Sequence, residues 1–502
     1  MKLSKTNRIW TVLALACTGF RSEVSGAQTT REAVGTAIPS VVEVRSPIML
    51  EAVTDQITGK SAFSFNGEEV PPIIRTSPGE TVIIDYANHM SPDSREQCVD
   101  GTCRNMTNLH FHGLHVSPAA PQDDVITMMA MPGESLHYVV DIPKDQPPGL
   151  YWYHTHPHGE SYQQSLDGMS GAIIIDGIDR YVPEIRQMTE RVLVLRDFDL
   201  TADPSARAKM SNAVTLSTAP CGDVTEKPER IFTVNGVIRP KIPIAPGEQQ
   251  FWRIVNASPD LYADLEVDGS MMTVVAMDGM PLGFHDPLHP RREMKHVLLP
   301  PAGRLEAVVR GPKGQNATLL TRCVDTGRDG DPNPRMVVAD LDDRTDEPRK
   351  PEPVSTTSSF PSHPTEFALS KTLLEKTETS APQFAVEFTE DDHGFYINGK
   401  KYGPDAPPMA VVRTGHLVHW KVTNETDEIH PFHIHQVHFL LYAINGKRVE
   451  HPIWLDTANV PTRGQLDLVM DFRDPIIRGL SLFHCHLLKH EDKGMMAKIL
   501  FQ

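Results

Sequence analysis

The chain has 502 residues, a formal net charge of −17, 42 prolines and 33 glycines. That length holds two to four domains with ample core, and the Pro and Gly content points to many turns between short strands. The acidic balance argues against nucleic acid or an anionic membrane surface as a partner, and beyond the N-terminus no stretch is apolar for long enough to span a bilayer.

Residues 1–27 read as an export signal. Lys2, Lys5 and Arg8 form a basic start, residues 9–20 an apolar run, and Ser25-Gly26-Ala27 a small-residue cleavage site. A second reading takes Ala14-Leu15-Ala16-Cys17 as a lipoprotein box anchored through Cys17. Both predict an exported protein, periplasmic or secreted. Export suits the cysteines Cys98, Cys103, Cys221 and Cys323, which allow three pairings. Cys98 and Cys103 flank a turn-forming Asp100-Gly101 and close a short loop easily, which leaves Cys221 with Cys323; connectivity stays open, as do buried free thiols.

The body of the chain repeats itself. Phe65-Asn66-Gly67 leads through Pro71-Pro72 and Pro78-Gly79-Glu80 to Asn88. Val234-Asn235-Gly236 leads through Pro246-Gly247-Glu248 to Asn256, and Ile397-Asn398-Gly399 through Thr414-Gly415 to Asn424. Asn-Gly and Pro-Gly between alternating apolar runs are hairpin signals. Three copies about 165 residues apart predict three β-sandwich domains. The expected division is 28–179, 180–343, a polar proline-rich linker at 344–364, and 365–502.

Histidines fall in pairs of one spacing. His110-Phe111-His112 and His154-Thr155-His156 lie in the first copy; His433-Ile434-His435, preceded by His430, and His484-Cys485-His486 lie in the third. His490 and Met495 follow Cys485 at +5 and +10. In a strand, i and i+2 share a face and i+1 points away, so Cys485 and its flanking histidines serve opposite sides. Thiolate, imidazole and a distant thioether form a blue-copper ligand set. Spacing therefore predicts two connected copper sites.

With these motifs the chain resembles the three-domain, laccase-like bacterial multicopper oxidases. The resemblance implies three cupredoxin-like Greek-key domains and four copper ions. It assigns His430, Cys485 and His490 to a type 1 copper with Met495 as axial ligand. His110 and His433 go to a type 2 copper, and His112, His154, His156, His435, His484 and His486 to a type 3 pair. The middle domain supplies no ligand and acts as spacer and part of a substrate-facing wall. His158 is read as supporting a ligand, and His115, His416, His419 and His438 as structural or solvated.

The implied activity couples four one-electron oxidations at the type 1 copper, entering through His490, to reduction of O₂ to water. Proton delivery falls to Glu491, directly after His490, and to Asp123 in Gln122-Asp123-Asp124, with Asp124 the alternative. Donors are expected to be phenols or aromatic amines. The alternative is metal-ion oxidation, Cu(I) above all, for which Met128, Met129, Met131, Met271, Met272, Met277 and Met280 supply thioethers, although core filling explains them better. A copper-free relative is disfavoured because no ligand is missing, and a two-domain nitrite-reductase-like enzyme because four pairs exceed its needs. The chain is expected to be a monomer.

Overall fold

A computed structural model describes residues 36–39, 41–56, 58–92, 103, 105–200, 230–313, 316–331, 333–343 and 371–502. The signal-like segment with Cys17, Cys98, Cys221 and the 344–364 linker lie outside the described residues. Among the described residues strands dominate and form six sheets, two from each third of the chain. Non-consecutive strands neighbour one another in every sheet, as Greek-key connections require. The architecture is three cupredoxin-like β-sandwiches.

The repeat in sequence is a repeat in backbone. Asn66, Asn235 and Asn398 have φ of 54°, 51° and 51°, and the glycines after them 80°, 82° and 68°. Two consecutive positive φ values are what a type I′ hairpin demands, and Asn-Gly meets them at low cost. Downstream, Asn256 and Asn424 end the strands Gln249–Asn256 and His416–Asn424, and Asn88 is the last residue but one of Thr81–His89. All three are fully buried. In each, Nδ2 donates to loop carbonyls, those of Ala130, Leu261 and Glu428 among them, and Oδ1 accepts the N–H two residues on. These side chains satisfy the turning backbone where the ladder ends. Each of the three strands also pairs in parallel with an earlier one: Ile48↔Ile84, Thr189↔Gln250 and Phe384↔Trp420.

Every sandwich closes on its own apolar core, with Tyr86, Trp252 and Trp420 among the largest buried side chains. Met272 and Met280 are buried in such clusters and Met271 is exposed. A further cluster joins Leu150, Trp152 and Ile174 to Val192, Val255 and Ala302, welding the first group of strands to the second. Where they meet, Gly149 is essential: a Cβ there would lie 2.6 Å from the Gly279 carbonyl.

Candidate metal centre

Two strand pairs set the histidines face to face. In the first sandwich His110–His112 pairs antiparallel with Gly149–His154, placing His110 opposite His154. In the third, His430–Ile434 pairs with Gly479–Cys485, placing His433 opposite His484 and Phe432 opposite Cys485. The strand alternation expected from sequence is thus present, with the thiol and the imidazoles on different sides.

His430, Cys485 and His490 gather on one side. Cys485 Sγ is 3.4 Å from His430 Nδ1, which is 3.3 Å from His490 Nδ1. Thr426 Oγ sits 2.8 Å from His430 Nε2, and because this hydroxyl can donate to Asn424 Oδ1 or the Glu428 carbonyl, His430 Nε2–H donates to it and Nδ1 keeps its lone pair. Burial pushes His430 down to about 3 and the Cys485 thiol up, so a cation is what the site needs to hold a thiolate. Met495 is fully buried in the same core cluster; its N–H donates to the His490 carbonyl and its carbonyl accepts the Cys485 N–H. Phe395 stacks on His490 at 3.8 Å and 15°.

On the other side the remaining eight imidazoles form one buried cluster drawn from the first and third sandwiches. His110 stacks on His435 at 3.8 Å and His112 on His433 at 3.9 Å, so each stack crosses between the two. His484 Nε2 lies 3.1 Å from His435 Nε2 and 3.4 Å from His156 Nε2. Burial, chiefly, holds His154 and His156 at about 3 and His110, His112, His433, His435 and His486 well below the usual imidazole range.

Four of them have one nitrogen tied. His110 Nδ1 is 3.0 Å from Asp123, His112 Nε2 3.0 Å from Asp456, His154 Nδ1 2.9 Å from the Thr155 carbonyl and His433 Nδ1 2.8 Å from the Asp456 carbonyl. The opposite atoms of these four rings, His110 Nε2, His112 Nδ1, His154 Nε2 and His433 Nε2, are buried and have no hydrogen-bond partner among the described residues. An unsatisfied buried polar atom costs about 1–3 kcal/mol, and four such atoms in one histidine cluster fit metal ligands. The donor set fits copper: neutral imidazoles, four of them with the second nitrogen anchored as above, and a thiol beside two further imidazoles.

The carboxylates differ. Asp123 accepts from the Phe111 N–H and from Gln436 Nε2, yet burial pushes it well above the usual range. Asp124, by contrast, accepts the Ile126 and Thr127 N–H groups at a turn. Glu491 lies 3.0 Å from His484 Nδ1 and 3.5 Å from His156 Nε2; burial would raise it, but these imidazoles outweigh burial and hold it low. His158 sits against His156 and Tyr402. His419 is a buried structural residue between the Ser380 carbonyl and Asp467, and His115 meets His438; His416 is exposed.

Sequence reasoning missed Asp456, Arg304 and Gln436. Asp456-Thr457 and Arg304 carry no spacing signal: Asp456 reaches His433 only across a strand pair and His112 only from another sandwich, and Arg304 acts through Asp456.

Family models described as multicopper oxidase match residues 50–179 and 367–502, together just over half of the chain. The chain belongs to the multicopper oxidase family. Among its relatives is the multicopper oxidase mco of Staphylococcus haemolyticus, 22% identical over 449 residues, which cover 88% of this chain and 83% of that one. The laccase of Bacillus subtilis is 24% identical, covering 86% and 89%. In structure the chain is similar to the Campylobacter jejuni multicopper oxidase, a metallo-oxidase, with a TM-score of 0.68 at 22% identity, covering 94% and 96%. It is also similar to the Aquifex aeolicus multicopper oxidase, with a TM-score of 0.68 at 19% identity, covering 93% and 99%. Multicopper oxidases bind copper ions and use O₂ with reducing substrates.

Proposed function

We propose that this chain is a laccase-like oxidase that couples four one-electron oxidations of phenolic or aromatic-amine donors to reduction of O₂ to water. The observation that carries the reading is Cys485 itself. Its side chain belongs to one cluster while the residues bonded to it on either side belong to the other, so two peptide units join the sites.

His430, Cys485, His490 and axial Met495 would hold a type 1 copper, His110 and His433 a type 2 copper, and His112, His154, His156, His435, His484 and His486 a type 3 pair. Bound copper supplies one-electron acceptance beside Cys485 and multi-electron delivery to O₂ among the histidines. His490 is the ligand nearest the surface and presents a ring edge to donors, with Phe395 covering one face. Glu491, at His484 and His156, holds and passes protons to the histidine cluster, and Asp123 does the same from the His110 side.

A second reading, metal-ion oxidation, is favoured by the pocket at His490. Asp260, Asp331 and Glu428 line it beside Lys489, and Glu428 lies 3.5 Å from His490 Nε2. Carboxylates suit a hard or borderline cation better than Cu(I). We further place the protein outside the cytoplasm, as a monomer, exported by residues 1–27 or anchored through Cys17. Among the described residues no helix is long and apolar enough to cross a membrane. We also place Cys103 and Cys323 each in a disulfide, with Cys98 and Cys221 as the remaining partners and the connectivity open.

Copper analysis with an optical spectrum tests the reading. Four coppers per chain and an intense blue band that vanishes in Cys485→Ser are expected; a colourless wild type refutes it. Steady-state rates with a substituted phenol, Cu(I) and Fe(II) separate the two donor classes.

A further inference from the structure

We propose that the middle sandwich, which donates no ligand, orients two ligands of the histidine cluster through Arg304, a positioning residue that acts on Asp456. The inference rests on the ligand assignment proposed above and extends it to a part of the chain that sequence marks only as a spacer.

Arg304 begins the strand Arg304–Arg310 and is fully buried. Its guanidinium grips Asp456 of the third sandwich with both arms, Nη1 at 2.7 Å from Oδ1 and Nη2 at 2.5 Å from Oδ2. The other three N–H groups donate to the carbonyls of Ala302, Asp278 and Leu150 at 3.2, 3.0 and 3.3 Å. All five donors of the fork are therefore used, and the plane of the guanidinium fixes the plane of the Asp456 carboxylate.

That carboxylate faces the ligands. Asp456 Oδ1 accepts from His112 Nε2 at 3.0 Å and from Thr457 Oγ at 2.9 Å, and the Asp456 carbonyl accepts from His433 Nδ1 at 2.8 Å. Asp278, also in the middle sandwich, accepts the Asp456 and Thr457 backbone N–H groups on Oδ2 and the Arg304 N–H on Oδ1. The outcome is a defined tautomer for two stacked rings: His112 is left with Nδ1 facing inward and His433 with Nε2. These are the two atoms found without partners. Outer hydrogen bonds of this kind set ring orientation and ligand basicity. Arg304 thus ties one sandwich's carboxylate to another's histidine while belonging to neither.

A nearby arginine supplies the control. Arg253 is buried in the same sandwich and pairs with Glu190 and Glu306, and Glu306 accepts the Leu150 N–H at 2.9 Å. Through Glu306 it joins the middle sandwich to the first, and it contacts neither Asp456 nor a histidine of the cluster. Arg304→Met, Arg304→Lys and Arg253→Met would be loaded with Cu(II) and compared with wild type. The readouts are copper content, blue-band intensity and the electron paramagnetic resonance signal of type 2 copper. We expect Arg304→Met to keep the blue band and to bind type 2 copper about 10- to 100-fold more weakly. Arg304→Lys, which keeps the charge and loses the fork, should retain part of the site with altered hyperfine splitting; Arg253→Met should load fully. A wild-type type 2 signal in Arg304→Met overturns the proposal, as does equal loss in Arg253→Met, which would reduce Arg304 to interdomain packing. If Arg304→Met does not fold, Arg304→Lys decides: an unchanged type 2 spectrum there overturns the proposal. A wild type with no blue band or no type 2 signal would instead remove the ligand assignment itself.

Discussion

Gly113 follows His112 directly and has φ of 85°; a Cβ built on it would lie 2.5 Å from both Arg304 Nη2 and Asp456 Oδ2, and 3.1 Å from the Tyr151 ring. Gly113→Ala therefore acts twice. Holding an L-residue in the left-handed region costs about 1–2 kcal/mol. The methyl also sits about 1 Å inside ordinary contact with two charged groups, and neither can retreat, since both are fully buried and every guanidinium N–H is engaged. Forcing the pair apart resembles breaking a buried salt bridge, about 3–5 kcal/mol, so about 4–7 kcal/mol is expected in all. Gly133→Ala isolates the first contribution, because Gly133 has φ of 91° with nothing within 4 Å of the added methyl. In thermal unfolding of the copper-free protein, at about 2–4 °C per kcal/mol, Gly113→Ala should lower the midpoint by about 6–20 °C more than Gly133→Ala does. Equal shifts in the two variants would refute the reasoning, since they would mean that the Arg304–Asp456 pair yields at no cost.

Glu491→Gln keeps the side-chain volume and removes the exchangeable carboxyl; in stopped flow the blue band should bleach normally with donor under anaerobiosis and return at least about 10-fold more slowly on mixing with O₂. Reoxidation at the wild-type rate would leave Glu491 merely orienting His484. Met495→Leu should stay blue with a higher type 1 reduction potential, and a colourless variant would show that Met495 holds the metal. Stability should also depend on Glu190, which Arg253 and Arg75 hold at about 2 from an ordinary 4.5 despite burial. A depressed carboxyl contributes fully above its unfolded value and loses that contribution as pH falls through its folded one. The advantage of wild type over Glu190→Gln, about 3 kcal/mol, should thus be level above pH 5 and shrink between 4.5 and 2. Urea titrations across that range check it, and an advantage unchanged at pH 2.5 contradicts the assignment.

Features encoded within a few residues could be read from sequence. Asn66-Gly67 and its two copies state their own backbone angles, and the buried Asn88, Asn256 and Asn424 mark the same point of each sandwich. His-x-His pairs announce a shared strand face, so both clusters could be drawn before any coordinates. What sequence left open is tertiary. Asp123 and Asp124 are adjacent and alike; only the fold shows one beneath His110 and the other capping a turn. Arg304 and Asp456 lie 152 positions apart, one opening a strand and the other at a bend between two strands, and nothing local marks the meeting of a guanidinium with a carboxylate from another sandwich. The carboxylates around His490 are scattered for the same reason, from Asp260 to Glu428.

The two ring stacks, His110 on His435 and His112 on His433, also dictate an order of manufacture. Synthesis runs from the N-terminus, and early domains fold as they emerge, so His110, His112, His154 and His156 are in place some three hundred residues before their counterparts exist. Until residues 433–486 leave the ribosome, half a site waits as an open set of imidazoles. Metal that arrived then would meet a different and weaker geometry, one able to capture the wrong ion. With the ligands as proposed, correct loading would be an event of the finished chain, and copper entering last would also lock the last-made sandwich to the first.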